Sequence, residues 1–322
     1  MTLDELSAAP HSQGEARQSD EDTEQWDFLL RFRDPELESR YLAGANGGWM
    51  AIDGLMSKMV TVFGVARIFA WQSSGLVKTA THHSWYALLC FVIHPLLLLG
   101  RNKKPTAYLS NRIHTQVIHR LLIGVGMGII TCLDDTLMIW GTGNMLARML
   151  TRTPISSLMS FSIGFRLPFR HHIVVQGIAA AISWLWVVKF CEACELDGEV
   201  DASVNRIGWA TEGLMQRIAA LGYPIEQAPL QDGEYSCWLV GFFYHFWVAY
   251  FVPSIVVYGM ECSSRSAFLI PMLRETDSRR FSLATRGRLT LLGLILVAGT
   301  QVLWFISNSL FGNGGLFGTD CG

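Results

Sequence analysis

The sequence predicts an all-α integral membrane protein with seven transmembrane helices, a cytoplasmic amino terminus and an extracytoplasmic carboxyl terminus. Three observations point there. Of the 322 residues 50% are hydrophobic and only 16% are charged, with mean hydropathy +0.29, where a soluble domain carries about 25% charged residues. The charge is uneven: 11 of the 27 acidic residues precede Tyr41, and the central segments are nearly free of them. Long apolar runs then recur along the rest of the chain. The net charge of -2, without a Lys/Arg tract or an aromatic-basic repeat, gives no footprint for nucleic acid.

Residues 1–22 have the polar, acidic composition of a disordered segment. Residues 1–25 contain no apolar core of a signal peptide, so insertion is expected to start at an internal segment. Trp26, Leu29 and Leu30 fall at helical spacing and predict a short amphipathic helix. Asp34-Pro35 reads as an N-cap followed by proline at the first helical position, and Gly44 as a stop, which predicts a second short helix over 35–43. Residues 1–48 thus form a cytoplasmic arm that either lies along the membrane or under the bundle, or hangs as a solvated tether. Residues 49–322 form the bundle.

Seven apolar segments follow, at about 50–71, 84–100, 117–140, 154–166, 171–190, 237–260 and 288–311, against roughly 20 residues needed to span a bilayer. The first holds Asp53, Lys58 and Arg67. The fourth, PISSLMSFSIGF, is short, and six spans remain if it is re-entrant. Two basic loops favour seven. One carries Arg101, Lys103, Lys104 and Arg112; the other carries Arg265, Arg274, Arg279, Arg280, Arg286 and Arg288. Both belong on the cytoplasmic side, and only the seven-span count puts them together. The same count places Cys191, Cys194, Cys237 and Cys321 outside, where disulfides form. Four cysteines allow three pairings; Cys237, at the mouth of segment six, closes a loop of about 45 residues with Cys191 or Cys194. No second Cys-x-x-Cys accompanies CEAC to make a zinc set, and no metal site is expected. Residues 191–236 should form a small lumenal or extracellular cap, helical over about 203–221 with Ile207, Leu214, Ile218 and Leu221 near one face.

The candidate site starts from TCLDDTLMIW, where Asp134 and Asp135 interrupt an apolar run. A carboxylate facing lipid costs at least a few kcal/mol, so each must face protein or water. Asp135 lies seven residues beyond Gly128, about 20° away on the small-residue face that also holds Gly124 and Thr131. Asp134 sits about 100° round, toward a cavity. Arg67, His245, Gln301 and Asn308 fall at comparable depth in the seven-span count, with Thr300, Trp304 and Ser307 beside the last two. The expected pairing is of Arg67 with Asp134 or Asp135. The cluster fixes helix register, forms a ligand or ion site open to the outer side, or is a catalytic centre.

Segment six, CWLVGFFYHFWVAYFVPSIVVYGM, has nine aromatics, His245 and a mid-span proline, which suggests lipid packing or an aromatic pocket. Pro253 frees the carbonyl four residues earlier. Glu261 and Arg265 are spaced as a helical ion pair. Arg170-His171-His172 reads as an interfacial anchor, His94 before Pro95 as a hydrogen-bonded core histidine, and His82-His83 as an exposed outer pair.

No Gly-x-Ser-x-Gly, His-Glu-x-x-His or phosphate-binding loop is present, and the last segment has no mid-span lysine for a retinal Schiff base. The sequence leans away from an enzyme, and names no cofactor. Seven spans with the carboxyl terminus outside resemble, in topology alone, several receptor classes and the gustatory-receptor-like channels. In those channels the last helix lines a pore, as the Gln301–Asn308 stripe would here. The expected function is to bind or conduct a small solute or ion in a plasma membrane or endomembrane, as channel, transporter or receptor. The alternatives are a non-catalytic accessory subunit of a membrane complex and an intramembrane hydrolase. The expected partners are the lipid bilayer, the solute, and a second copy or a membrane-complex subunit.

Overall fold

The computed structural model describes residues 27–73, 92–132, 155–194, 198–220, 235–273 and 275–311. These residues are helical, with no strand among them. Among the described residues, three helical stretches are long and apolar enough to cross a membrane: Phe169–Glu192, Cys237–Met272 and Ser282–Phe311.

Helix α1 (Pro35–Ser73) begins as its sequence requires. Asp34 Oδ1 accepts from the Glu36 amide at 2.8 Å, and Pro35 takes the position where no amide partner is needed. The helix does not stop at Gly44. It runs through Gly44, Gly47 and Gly48 for 39 residues, about 58 Å. Burial of Trp49 and the bonds that Arg112 makes to Asp53, both beyond these glycines, offset the roughly 1 kcal/mol each glycine costs a helix. The amphipathic helix expected around Leu29 and Leu30 does not form over residues 27–34. Asp27 instead closes a turn, its Oδ1 taking the Arg31 amide at 2.9 Å, and Leu30 adopts a positive φ of 61°. That turn drops Leu30 and Phe32 into a core with Tyr41, Phe169, Val257 and Leu269. This part of the arm is packed under the bundle rather than solvated.

Helices α2 (His94–Lys103) and α3 (Pro105–Cys132) meet at Lys104. Helix α4 (Ile155–Gly164) leads through Arg166 and Pro168 into α5 (Phe169–Cys194), with α6 (Gly198–Ala220) beyond. Helix α7 (Cys237–Phe246) is capped by Ser236, whose Oγ accepts from the Leu239 amide at 3.2 Å. It passes through a π-helical turn (Trp247–Phe251) into α8 (Val252–Leu269), and a 3-10 turn (Ile270–Met272) precedes α9 (Glu275–Phe311).

The π turn and Pro253 belong together. Proline cannot bond the carbonyl of Ala249, and Gln176 Nε2 from α5 donates to that carbonyl instead. A sequence-encoded break in one helix is thereby satisfied by a polar side chain of its neighbour.

Two ends of the bundle can be told apart. At one, Cys191 and Cys237 form a disulfide with 5.5 Å between Cα atoms, and Ser236 Oγ donates to the Phe311 carbonyl at 3.0 Å. The ends of α5 and α9 and the start of α7 therefore share this disulfide end. At the other lie the starts of α1, α3 and α5 and the end of α8, joined through Arg112, Arg120 and Arg265. We refer to this as the arginine end. Helix α6 covers the disulfide end. Its buried stripe is Val204, Thr211 and Met215, with Thr211 Oγ1 2.9 Å from the Tyr244 hydroxyl. Ile207 and Ile218 flank that stripe, but Leu214, expected on it, is exposed. Helix α9 lies on the outside, with Leu291, Leu294, Val302 and Phe305 exposed along it.

Candidate functional site: buried polar clusters and a groove at the arginine end

Three arginines at this end are almost fully buried, and each solves the problem of a buried guanidinium differently. Arg112, counted in the sequence as part of a basic loop, is 0% exposed and forms a bidentate pair with Asp53 of α1. Its Nε and Nη2 lie 2.7 and 2.8 Å from the carboxylate oxygens. The Tyr108 hydroxyl donates to Asp53 at 2.9 Å and accepts from Gln116 at 3.0 Å. The Trp49 ring lies 5.1 Å from the guanidinium.

Among the described residues, no carboxylate bonds to Arg120. Its Nη2 donates to the carbonyls of Ser162 and Phe165, where α4 ends and its dipole is negative. Its Nη1 reaches His172 Nδ1 at 2.7 Å. A guanidinium only donates, so His172 Nδ1 is the acceptor and Nε2 carries the proton. That proton points at Ser254 Oγ, 3.3 Å away, which in turn donates to the Tyr250 carbonyl. His172 is thus no interfacial anchor: it is 0% exposed and links α3 to α8.

Arg265 binds two carboxylates. The spacing from Glu261 gives the expected pair at 2.8 Å, but it is buried, and Glu38 from α1 joins it with a 2.5 Å contact. Phe32 and Tyr41 stack on the guanidinium at 4.8 and 4.2 Å. Glu261 also accepts from the Phe169 amide, and Glu38 from the Phe32 amide. Burial works to raise the Glu38 pKa, but the Arg265 guanidinium and the Phe32 amide together hold it below the usual carboxylate value. This cluster fastens the arm to the bundle.

Arg166, between α4 and α5, is the exception. It is half-buried, its Nε is shielded from water, and that atom has no acceptor. It lies in a groove of about 520 Å³ between α8 and α9, walled by Ile255, Val256, Leu289 and Leu292, with Ser263 nearby. Gly259 forms the close approach: a Cβ there would lie 3.3 Å from Leu292 Cδ2.

Of the sequence-predicted site residues, His245, Gln301 and Asn308 have described side chains. Asp134, Asp135 and the side chain of Arg67 lie outside the described residues, as do Cys321, the Cys194 side chain and His82-His83. His245 is 0% exposed; its Nε2 lies 2.8 Å from the Ala180 carbonyl and 3.3 Å from Ser183 Oγ, so it joins α7 to α5. The polar stripe of the last helix is divided. Thr300, Trp304 and Ser307 pack inward, with Thr300 accepting from Trp247 Nε1 at 3.0 Å, while Gln301 and Asn308 are half-exposed beside them. The aromatics of segment six are largely packed, Phe243 against Trp304 and Phe242 against Phe311. His94 is buried as expected but not hydrogen-bonded. It meets His119 edge-on at 4.9 Å, and neither ring has a nitrogen with a partner. Among the described residues no group of three His, Cys, Asp or Glu side chains could hold a metal.

Sequence reasoning missed Asp53–Arg112, Glu38 and Arg166. One signal was present: an aspartate in the first apolar segment needs a cation, and Arg112 stands just ahead of the third. No protein-family model matches the chain, and no characterised protein or solved structure is significantly similar to it.

Proposed function

We propose that the chain is an integral membrane protein of seven spans that binds a small anionic solute at the groove between α8 and α9. The observation that carries this is Arg166. Among the described residues Arg112 and Arg265 have carboxylates and Arg120 has helix-end carbonyls, whereas Arg166 is half-buried, lines an open apolar groove and makes no ion pair. A cation with unused donors beside apolar walls suits an anion that carries a hydrocarbon part. The seven-span arrangement, with the arginine end cytoplasmic, draws support from the alternating helix directions. Helices α1, α3, α5 and α9 run from the arginine end, and α7–α8 runs back toward it. The disulfide then falls on the oxidising side.

Octyl phosphate tests the reading. Titrated into detergent-purified protein, it should raise the melting temperature of the wild type and not that of Arg166→Gln. An equal shift in both, or none in either, removes the groove as the binding site.

A second reading, an accessory subunit of a membrane complex, is favoured by the dry packing of the disulfide half. His245, Thr300 and Ser307 are buried and bonded internally. Co-purification of a stoichiometric membrane partner, with no ligand bound at Arg166, would select it.

A further inference from the structure

The identity of the anion can be narrowed. We infer that the groove between α8 and α9 holds an anionic lipid, with its phosphate on Arg166 and an acyl chain along Ile255, Val256, Leu289 and Leu292. This inference rests on the reading that Arg166 binds an anion, and adds what the anion is attached to.

Three observations favour a lipid over a water-soluble anion. The groove lies between two helical stretches that are each apolar enough to cross a membrane. Its wall on α9 is Leu289 and Leu292, and the neighbouring Leu291, Leu294 and Ile295 are exposed on the same helix. A free phosphate or carboxylate would gain nothing from that apolar surface, whereas an acyl chain entering from the side buries itself against it. The cation sits where a headgroup would be. Arg166 and the exposed Arg286 lie toward the arginine end, and the apolar walls extend from them toward the disulfide end. Arginine also offers a planar fork of donors matched to phosphate oxygens, and Arg166 lines this groove. The Ser263 hydroxyl borders the same space as a further donor.

A second copy of the chain is the main rival occupant. The α9 of that copy would present an apolar face over residues 282–311 without aspartate or glutamate; its acidic residues, Glu275 and Asp277, lie in its first turn, ahead of the apolar stretch. The volume of about 520 Å³ suits a headgroup and the first part of a chain rather than a whole helix.

The test uses full-length protein in mild detergent and in nanodiscs. Native mass spectrometry counts phosphatidylglycerol retained against phosphatidylcholine, for wild type, Arg166→Gln, Arg166→Lys and Gly259→Leu. The wild type should retain phosphatidylglycerol at least about tenfold better than phosphatidylcholine. Arg166→Gln should lose that preference, and Arg166→Lys should keep part of it because the charge remains. Gly259→Leu leaves Arg166 in place and fills the groove, so it should lower retention of both lipids. Unchanged size-exclusion profiles certify that the variants are folded, and a variant that aggregates is replaced by measuring displacement from wild type with inorganic phosphate.

Inorganic phosphate should not displace the lipid. If phosphate and octyl phosphate bind in an Arg166-dependent way while phosphatidylglycerol is retained no better than phosphatidylcholine, the lipid inference fails and the anion-binding reading stands. If nothing depends on Arg166, both fail. Arg166-dependent dimerisation with no lipid retained would give the groove to a second copy and overturn the inference.

Discussion

Asp53 provides the sharpest perturbation of the buried arginine end. Its carboxylate takes two bonds from Arg112, at 2.7 and 2.8 Å, and one from the Tyr108 hydroxyl at 2.9 Å. Arg112 is 0% exposed, and its Nη1 already has no partner. In Asp53→Asn the shape is kept, but the charge is gone and one of the two guanidinium bonds has no acceptor. A hydrogen bond to a charged group contributes about 1.5–3 kcal/mol, and a buried ion left alone brings the total to about 3–5 kcal/mol. Arg112→Met alone strands the Asp53 carboxylate and should cost a similar amount. In the double variant neither ion remains, so its cost should fall below the sum of the singles by at least about 2 kcal/mol. Unfolding in mixed micelles titrated with SDS, followed by tryptophan fluorescence, reads all four proteins. Additive single effects, or a neutral Asp53→Asn, would refute the claim that this pair holds α1 to α3.

Other parts of the structure make separate predictions. Cys237→Ser removes the disulfide to Cys191 across a sequence separation of 46 residues, and in the chain-entropy picture should destabilise the folded chain by about 4 kcal/mol. Mass spectrometry of unreduced peptides should show the 191–237 link directly, and free thiols at both positions would contradict the fold at that end. Arg265→Leu strands the carboxylates of Glu38 and Glu261 together, so it should destabilise more than Glu38→Gln, which leaves Arg265 paired with Glu261. Limited proteolysis ahead of Pro35 should accelerate in both variants, since Phe32 and Leu30 are held by that cluster. Gln176→Leu leaves the Ala249 carbonyl at the Pro253 break without its donor and should cost about 1–3 kcal/mol, whereas Gln301→Leu, half-exposed on α9, should be nearly neutral. Equal effects of the two would show that the π turn does not need Gln176.

What the sequence made legible follows local rules. The Asp34-Pro35 cap, the Glu261–Arg265 pair, the freed carbonyl at Pro253 and the role of Cys237 each depend on residues a few positions apart, or on a short menu of partners. Helix stops were less legible. Gly44 carries a local penalty of about 1 kcal/mol, and the burial of Trp49 and the Asp53–Arg112 pair beyond it override that penalty. The polar partners at the arginine end could not be read at all from spacing. Asp53 and Arg112 are 59 positions apart, and Glu38 and Arg265 are 227 apart. Arg112 and His172 also looked like surface residues because they flank apolar runs, yet the fold takes both out of water. The stripe on α9 failed for a related reason: spacing placed Gln301 with Thr300 and Trp304, but only packing against Trp247 and Phe243 decides which of them turn inward.

The account stands on the arginine end and the disulfide end lying on opposite faces of a bilayer. The direct measurement is labelling of single introduced cysteines with a membrane-impermeant thiol reagent in sealed vesicles. The background keeps Cys191 and Cys237 and replaces the other cysteines. Ser110→Cys and Thr276→Cys mark the arginine end, and Leu214→Cys, at an exposed position of α6, marks the other. Labelling of Leu214→Cys from outside, with Ser110→Cys and Thr276→Cys reached only after permeabilisation, is the predicted result. Labelling of Ser110→Cys and Leu214→Cys from the same face would contradict the spanning arrangement, and with it the placement of Arg166 beside lipid.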